Sequence, residues 1–193
     1  MAILVAVVIG ILVGFLRRGK LRGLVDYMKS PILLVLSFLI EASLGLLVTK
    51  FPNLFPQYLW VVVVVQYALI FAFFIINCRK WPIAIMAVGV LMNFAVIISN
   101  GGSMPVAEVV ADIPAYADTV QRISEGLMPE YFIMHHKVAF WYFGDVILIP
   151  GGNGFASIGD IVLCIGMVFY IICGMGKTTA KRAKRRAHDR GMA

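Results

Sequence analysis

Charged side chains are scarce in this chain of 193 residues. Asp, Glu, Lys and Arg together make up 14% of it, whereas hydrophobic residues make up 61%. Soluble globular domains carry about 25% charged residues. The composition therefore excludes an ordinary soluble globule and predicts one membrane domain that covers residues 1–193.

Cysteine and the common catalytic motifs are also nearly absent. The three cysteines are Cys78, Cys164 and Cys173, and their spacing matches no zinc or redox motif. No phosphate-binding loop, nucleophile elbow or paired histidine metal motif is present. We therefore expect no disulfide and no cofactor, and we favour a protein that is not an enzyme.

Long apolar runs are what the sequence does contain. None of the runs contains Lys or Arg, and they cover residues 2–16, 31–49, 58–77, 82–99 and 158–175. The four later runs have the length of a helix that crosses a hydrocarbon core of about 30 Å. The first run reaches only about 22 Å as a helix, and we read it as an uncleaved helix. It must thin the bilayer, extend into Arg17 and Arg18 by snorkelling, or fail to span fully. The prediction is an all-α integral membrane protein with five transmembrane helices.

The basic residues predict how these helices are oriented. Fourteen of the seventeen Lys and Arg residues lie in three polar breaks, at residues 17–29, 79–80 and 177–190. Because cytoplasmic segments collect Lys and Arg, we predict an N-out, C-in topology. This placement accounts for the net charge of +7 without nucleic acid. The basic tail, residues 176–193, is expected to contact membrane lipids or a protein partner.

One polar segment, residues 100–157, is long enough to fold by itself. It carries six acidic residues and two basic ones, and we predict that it forms an outer cap over the helix ends. Apolar residues at helical spacing predict helix over residues 106–127, with a break at Pro114. Residues 138–149 are too few for a sixth crossing, so we expect an extended or re-entrant segment there.

Six polar residues are candidates for a binding site. Polar side chains interrupt the apolar runs or border the cap at Glu41, Gln66, Asn93, Asn100, Asp145 and Asp160. One interpretation is hydrogen bonding between helices, worth about 1 kcal/mol per contact. The other makes Glu41, Gln66, Asn93 and Asn100 a polar stripe that binds a proton, an ion or a headgroup. Asp160 also fits a capping pattern with Ser157 at the start of the last helix.

A metal site at His135 and His136 is not predicted. Adjacent residues on a regular element point in different directions, and no second histidine lies at a ligand spacing. We therefore assign no metal ligands.

Four short motifs carry a resemblance to a known family. They are Asn93, the run Asn-Gly-Gly-Ser-Met-Pro at residues 100–105, Gly-Asp-Val-Ile at 144–147 and Ser-Ile-Gly-Asp at 157–160. In these motifs the chain resembles, over nearly its whole length, an uncharacterised family of bacterial multi-pass membrane proteins classed as a domain of unknown function. That family usually has a basic residue where this chain has Ser103. The resemblance implies a multi-pass protein of a bacterial plasma membrane, with no established activity.

Two functions are compatible with the sequence. We favour a non-enzymatic accessory or scaffold subunit, because no catalytic set is present and the basic tail offers a docking element. The alternative is a binding site on the outer face for an ion, lipid headgroup or small molecule, used in transport or in catalysis within the membrane.

Overall fold

The fold is mostly helical. The computed structural model describes residues 2–50, 55–135, 138–149 and 154–191. The α-helices in these ranges are α1 (Ala2–Leu16), α2 (Arg22–Tyr27), α3 (Ile32–Lys50), α4 (Phe55–Asn77), α5 (Trp81–Ser99), α6 (Ala117–Ser124) and α7 (Ile158–Gly191). The short strands are β1 (Met104–Val106), β2 (Tyr131–Ile133), β3 (Ile147–Leu148) and β4 (Phe155–Ala156).

Three helical segments are long and apolar enough to cross a membrane. They are Tyr58–Asn77 in α4, Trp81–Ser99 in α5 and Ile158–Gly176 in α7, and shorter apolar helix is present at Ala2–Leu16 and Ile32–Leu44. All five predicted apolar runs lie almost wholly within helices, and the last helix continues through the basic tail to Gly191. The mostly helical fold, with three helices long and apolar enough to cross a membrane, is confirmed, whereas five crossings and their orientation stay predictions.

Glycines allow α5 and α7 to pack closely in antiparallel directions. A β-carbon at Gly89 of α5 would lie 2.5 Å from the carbonyl oxygen of Gly159 and 2.7 Å from the backbone nitrogen of Leu163. Both atoms belong to the backbone of α7, so neither can rotate away. This contact resembles the small-residue packing of helices in membranes, where backbones approach closely.

The basic segments meet at one end of the bundle, which we call the basic end. The backbone nitrogen of Lys20 donates to Met175 O (3.2 Å), next to the start of the tail. The Asn77 side chain accepts from the Lys29 backbone (3.1 Å) and donates to its carbonyl (2.9 Å). The Lys80 ammonium group also donates to Asn77 (2.6 Å). The buried apolar core extends from this end and includes Tyr27, Phe73, Ile83, Tyr170 and Met175.

The segment of residues 100–157 covers the opposite end, which we call the cap end. Its strand β1 pairs in parallel with β2, and β3 pairs antiparallel with β4. Buried Val106, Val110 and Tyr116 form its small core. The Tyr116 hydroxyl lies within hydrogen-bonding distance of Ile149 O (2.7 Å) and Gly154 O (2.8 Å), which ties the two sides of the cap together.

The helix predicted over residues 106–127 is confirmed only in part, because continuous α-helix is limited to Ala117–Ser124. Residues Met104–Val106 form a strand, Glu108–Asp112 and Pro114–Tyr116 form 3₁₀ turns, and α-helix begins only at Ala117. The strand forms because β2 offers a pairing partner, and Pro114 has no N–H with which to continue a helix from Asp112. The apolar stripe that suggested a helix instead fills the core of the cap.

No sixth helix forms in the described part of the second half of the cap, as predicted. Trp141–Phe143 is a single 3₁₀ turn that packs against α5 and α7, and β3 follows it. Phe140, Trp141 and Tyr142 are exposed, with 59% of the Trp141 surface accessible. Aromatic side chains of this kind favour the level of lipid headgroups, so the turn is suited to the membrane surface.

Candidate functional site

A cavity of about 200 Å³ lies beneath the cap, between α3, α4, α5 and the first turn of α7. Five of the six polar candidates from the sequence line it: Glu41, Gln66, Asn93, Asp145 and Asp160. The other lining residues are Leu44, Val63, Tyr67, Ile70, Ile97, Gly102, Met104, Glu130 and Tyr131. The structure therefore brings most of the predicted polar residues together at one place.

The cavity is deep, because it follows one face of α4. Val63, Gln66, Tyr67 and Ile70 are spaced by three and four residues, which places them in one row along the helix. Seven residues of helix correspond to about 10 Å of depth. Gln66 is the middle residue of α4, so the cavity reaches from the cap to the mid-level of the bundle.

Asp160 is held in a network of hydrogen bonds at the start of α7. Its Oδ1 accepts from Asn93 Nδ2 (2.8 Å), and its Oδ2 accepts from the Ser157 backbone nitrogen (3.0 Å). The Ser157 hydroxyl accepts from the Asp160 backbone nitrogen (2.9 Å) and donates to Asn93 Oδ1 (2.8 Å). The capping pattern predicted from the sequence is present, and it joins α7 to Asn93 of α5. Both oxygens of this carboxylate are thus already occupied.

Glu41 is paired with Gln66 across the hairpin of α3 and α4. Gln66 Nε2 donates to Glu41 Oε2, and the two residues lie at the middles of their helices. This pair agrees with the interpretation of polar residues as hydrogen bonds between helices. Because both residues also line the cavity, the pair forms part of its polar wall.

Asp145 differs from Asp160 and Glu41 because one of its buried carboxylate oxygens has no hydrogen-bond partner among the described residues. Its backbone is fixed by hydrogen bonds from its nitrogen to Pro105 O (2.8 Å) and from Ala107 N to its carbonyl (3.2 Å). The residue is 4% exposed, and its Oδ1 has no hydrogen-bond partner among the described residues. Burial, and then the negative charge of Asp160, raise the pKa of Asp145 to about 7. Burying a carboxylate oxygen without a hydrogen-bond partner costs free energy, so a ligand that pairs with Asp145 would be favoured in the cavity.

Glu130 and Tyr131 also line the cavity, although the sequence did not predict them as site residues. Pairing of β1 with β2 brings them beside Met104, whose nitrogen donates to Glu130 O (2.7 Å). Burial raises the pKa of Glu130. Burial and then the charges of Asp145, Glu130, Glu41 and Asp160 raise the pKa of Tyr131. All four carboxylates of the cavity therefore act electrostatically on one tyrosine.

Asn100 is the predicted candidate that does not line the cavity. Its amide nitrogen donates to Val96 O (2.7 Å) and Ala139 O (2.9 Å), and its Oδ1 accepts from Ala139 N (3.2 Å). Asn100 therefore ends α5 and fixes the aromatic turn of the cap. Gly102, two residues later, has φ +98° and lies against Trp60 at the start of α4, where a side chain would be strained.

His135, the described member of the histidine pair, does not line the cavity. His135 is exposed and lies 3.7 Å from the Glu108 carboxylate, and His136 lies outside the described residues. Within the described ranges, no group of three or more His, Cys, Asp or Glu side chains could hold a metal ion.

The chemistry of the cavity follows from its charges. Four carboxylates line it, and no Lys, Arg or His is among its described lining residues. Negative groups enclosed by apolar walls concentrate their field and favour cations.

The fold and the cavity define a mostly helical protein that has three helices long and apolar enough to cross a membrane and an acidic cavity at its cap end. Residues 27–172 match a family of unknown function, DUF5317, and the chain belongs to that family. No curated protein and no solved structure shows significant similarity to it. The matched residues include every residue that lines the cavity.

Proposed function

We propose that this protein binds a cation in the acidic cavity at the cap end of a membrane-embedded helix bundle. The observation that carries the proposal is Asp145, a buried carboxylate that lines the cavity with one oxygen unpartnered among the described residues. Asp160 and Glu41 already have partners in the protein. A bound cation would supply to Asp145 the partner that the fold does not provide.

The test is cation-dependent stabilisation of the full-length protein in detergent. A ligand that binds only the folded state raises the unfolding temperature, and the rise continues with the logarithm of the ligand concentration above Kd. We expect sodium, magnesium or tetramethylammonium chloride to stabilise the wild type, with no such effect on Asp145→Asn. Sodium chloride and sodium sulfate at equal sodium concentration control for the anion. An equal response of the two proteins to every cation would contradict the proposal.

We further propose five crossings with the N-terminus and the cap outside and the basic end in the cytoplasm of a bacterial plasma membrane. The support is the gathering of the basic breaks at one end and of the acidic cap at the other. The cavity then opens beneath the outer face.

The topology predicts which cysteines an impermeant maleimide reaches in intact cells. Cys78 is exposed at the basic end, and Ser124 is exposed on α6 of the cap. We expect Ser124→Cys, in a variant with Cys78→Ser, to be labelled at once. Cys78 in the otherwise unchanged protein should react only after the cells are permeabilised. The reverse pattern would show that the orientation is inverted.

An accessory or scaffold role is the second candidate, and the continuation of α7 as helix to Gly191 favours it. Such an extension would present the basic tail away from the membrane. Removing residues 177–193 should then release a co-purifying protein partner without loss of membrane insertion. A complex that survives this truncation would contradict the role of the tail.

A further inference from the structure

The lining of the cavity is part acidic and part apolar, with the Glu41–Gln66 pair at its mid-level and Ile97 near the cap. Asp145 and Asp160 lie beneath the cap, and Val63, Ile70 and Ile97 form apolar wall along α4 and α5. A bare ion would leave this apolar wall without a contact. A ligand with a charged end and a hydrocarbon body would satisfy both parts of the lining.

Two tyrosines also line the cavity, and neighbouring rings pack against them. The Tyr67 ring lies 4.9 Å from Phe94, and the Tyr131 ring lies 5.4 Å from Phe155. Aromatic faces attract organic ammonium groups, most strongly where water is excluded.

The size of the cavity limits the ligand. A volume of 200 Å³ is slightly larger than the roughly 150 Å³ of an engineered protein cavity that binds benzene, a ligand of about six non-hydrogen atoms. A linear ligand of about the same number of non-hydrogen atoms also fits the depth of about 10 Å along α4.

We infer that the ligand is a small organic ammonium ion with an apolar body, whose charged group pairs with Asp145 and whose body lies along α4. Asp145 is nine-tenths buried, lines the cavity and has an oxygen without a partner among the described residues. This inference rests on the proposed cation site and specifies the class of cation.

Metal ions fit the described lining less well. Binding of a divalent metal needs several oxygen ligands within about 2.0–2.6 Å of one point. No three acidic, histidine or cysteine side chains in the described part of the chain converge in this way. One ammonium group needs only one close carboxylate, and Asp145 supplies it.

The experiment is a calorimetric titration of the full-length protein in detergent with alkylammonium chlorides of increasing chain length. We expect the affinity to rise about fourfold per methylene from ethylammonium to n-pentylammonium, because each added methylene is buried. n-Pentanol, which has the same body without the charge, should bind far more weakly. Asp145→Asn should lower the affinity for n-pentylammonium at least about thirtyfold.

A second variant tests the apolar wall. Ile70 is the lining residue of α4 farthest from the cap, so Ile70→Ala should move the preferred chain length to a longer amine. This change in preferred chain length is expected only if the hydrocarbon body of the amine is buried along α4. An amine held at the surface by its charge alone would show the same preference with both proteins.

The outcomes separate the two proposals. Binding of sodium or magnesium that depends on Asp145, without binding of n-pentylammonium, would overturn the organic ligand and leave the cation site standing. Equal binding of n-pentylammonium to wild type and Asp145→Asn would overturn the inference. Failure of every cation to bind would overturn both proposals.

The pH dependence of n-pentylammonium binding gives a further check. Asp145 faces Asp160, Glu130, Tyr131, Glu41 and Tyr67 around the cavity. Since a proton competes with the ammonium group for Asp145, affinity should fall as the pH decreases below about 7. An affinity that is constant across this range would contradict pairing with Asp145.

Discussion

Asp145→Asn should stabilise the empty protein at alkaline pH while it weakens cation binding. Above about pH 7 the wild type holds an ionised carboxylate that is buried and has an unpartnered oxygen among the described residues. Asparagine has nearly the same shape and no charge, so the variant avoids this desolvation cost. We expect a gain on the order of 2 kcal/mol in the free energy of unfolding at pH 8.

The gain depends on pH in a definite direction. The pKa of Asp145 is raised from the ordinary value of 3.8 to about 7 in the folded protein. Between these values the folded state keeps a proton that the unfolded chain has released. Raising the pH through this window therefore lowers the stability of the wild type, and above about 7 the loss is complete. In the Asp145→Asn variant, the free energy of unfolding should not show this decrease with rising pH.

Reversible unfolding in detergent from pH 4 to pH 8 measures this effect. Asp112→Asn is the matched control, because Asp112 is an exposed acid in the same cap. It should leave the pH profile almost unchanged. If Asp145→Asn were instead less stable than the wild type at every pH, Asp145 would be a structural residue and the site would lose its main support.

Gly89→Ala should destabilise the helix bundle. The new methyl group would lie 2.5 Å from the Gly159 carbonyl oxygen and 2.7 Å from the Leu163 nitrogen, so the two helices must separate. We expect a loss of about 2–3 kcal/mol in the free energy of unfolding, in the range of overpacked cores. A lower unfolding temperature in detergent is the measured consequence.

Gly176→Ala is the control for this substitution. Gly176 also lies in α7, but a β-carbon there has no atom within 4 Å. Because alanine favours helix over glycine, this variant should be as stable as the wild type or slightly more so. Equal destabilisation by both substitutions would show that close packing at Gly89 is not the cause.

The helices could be predicted because hydropathy and length are local properties. All five apolar runs were located from residue composition alone, and they are helical. The cap at Ser157 and Asp160 was predictable for the same reason, since its two partners lie three residues apart. The intruding Glu41, Gln66 and Asn93 were identified because polar residues in apolar helices are conspicuous.

The rest of the site depends on contacts between distant segments. Glu130 and Tyr131 reach the cavity through the parallel pairing of β2 with β1, and no local pattern specifies that register. The segment around Val106 has apolar residues at helical spacing, yet strand pairing and Pro114 prevent a continuous helix. Asn100 directly follows the helix that contains Asn93, but its side-chain amide is hydrogen-bonded to Ala139 in the cap.

The central claim is that a bound ammonium ion is the missing partner of Asp145. Difference infrared spectroscopy tests this most directly, because a protonated buried carboxylic acid has its own carbonyl band. At a pH just below the pKa of Asp145, the empty wild type should show this band and Asp145→Asn should lack it. Adding n-pentylammonium should remove the band as Asp145 gives up its proton to form the ion pair. A band that belongs to Asp145 and does not change when the amine binds would contradict the account.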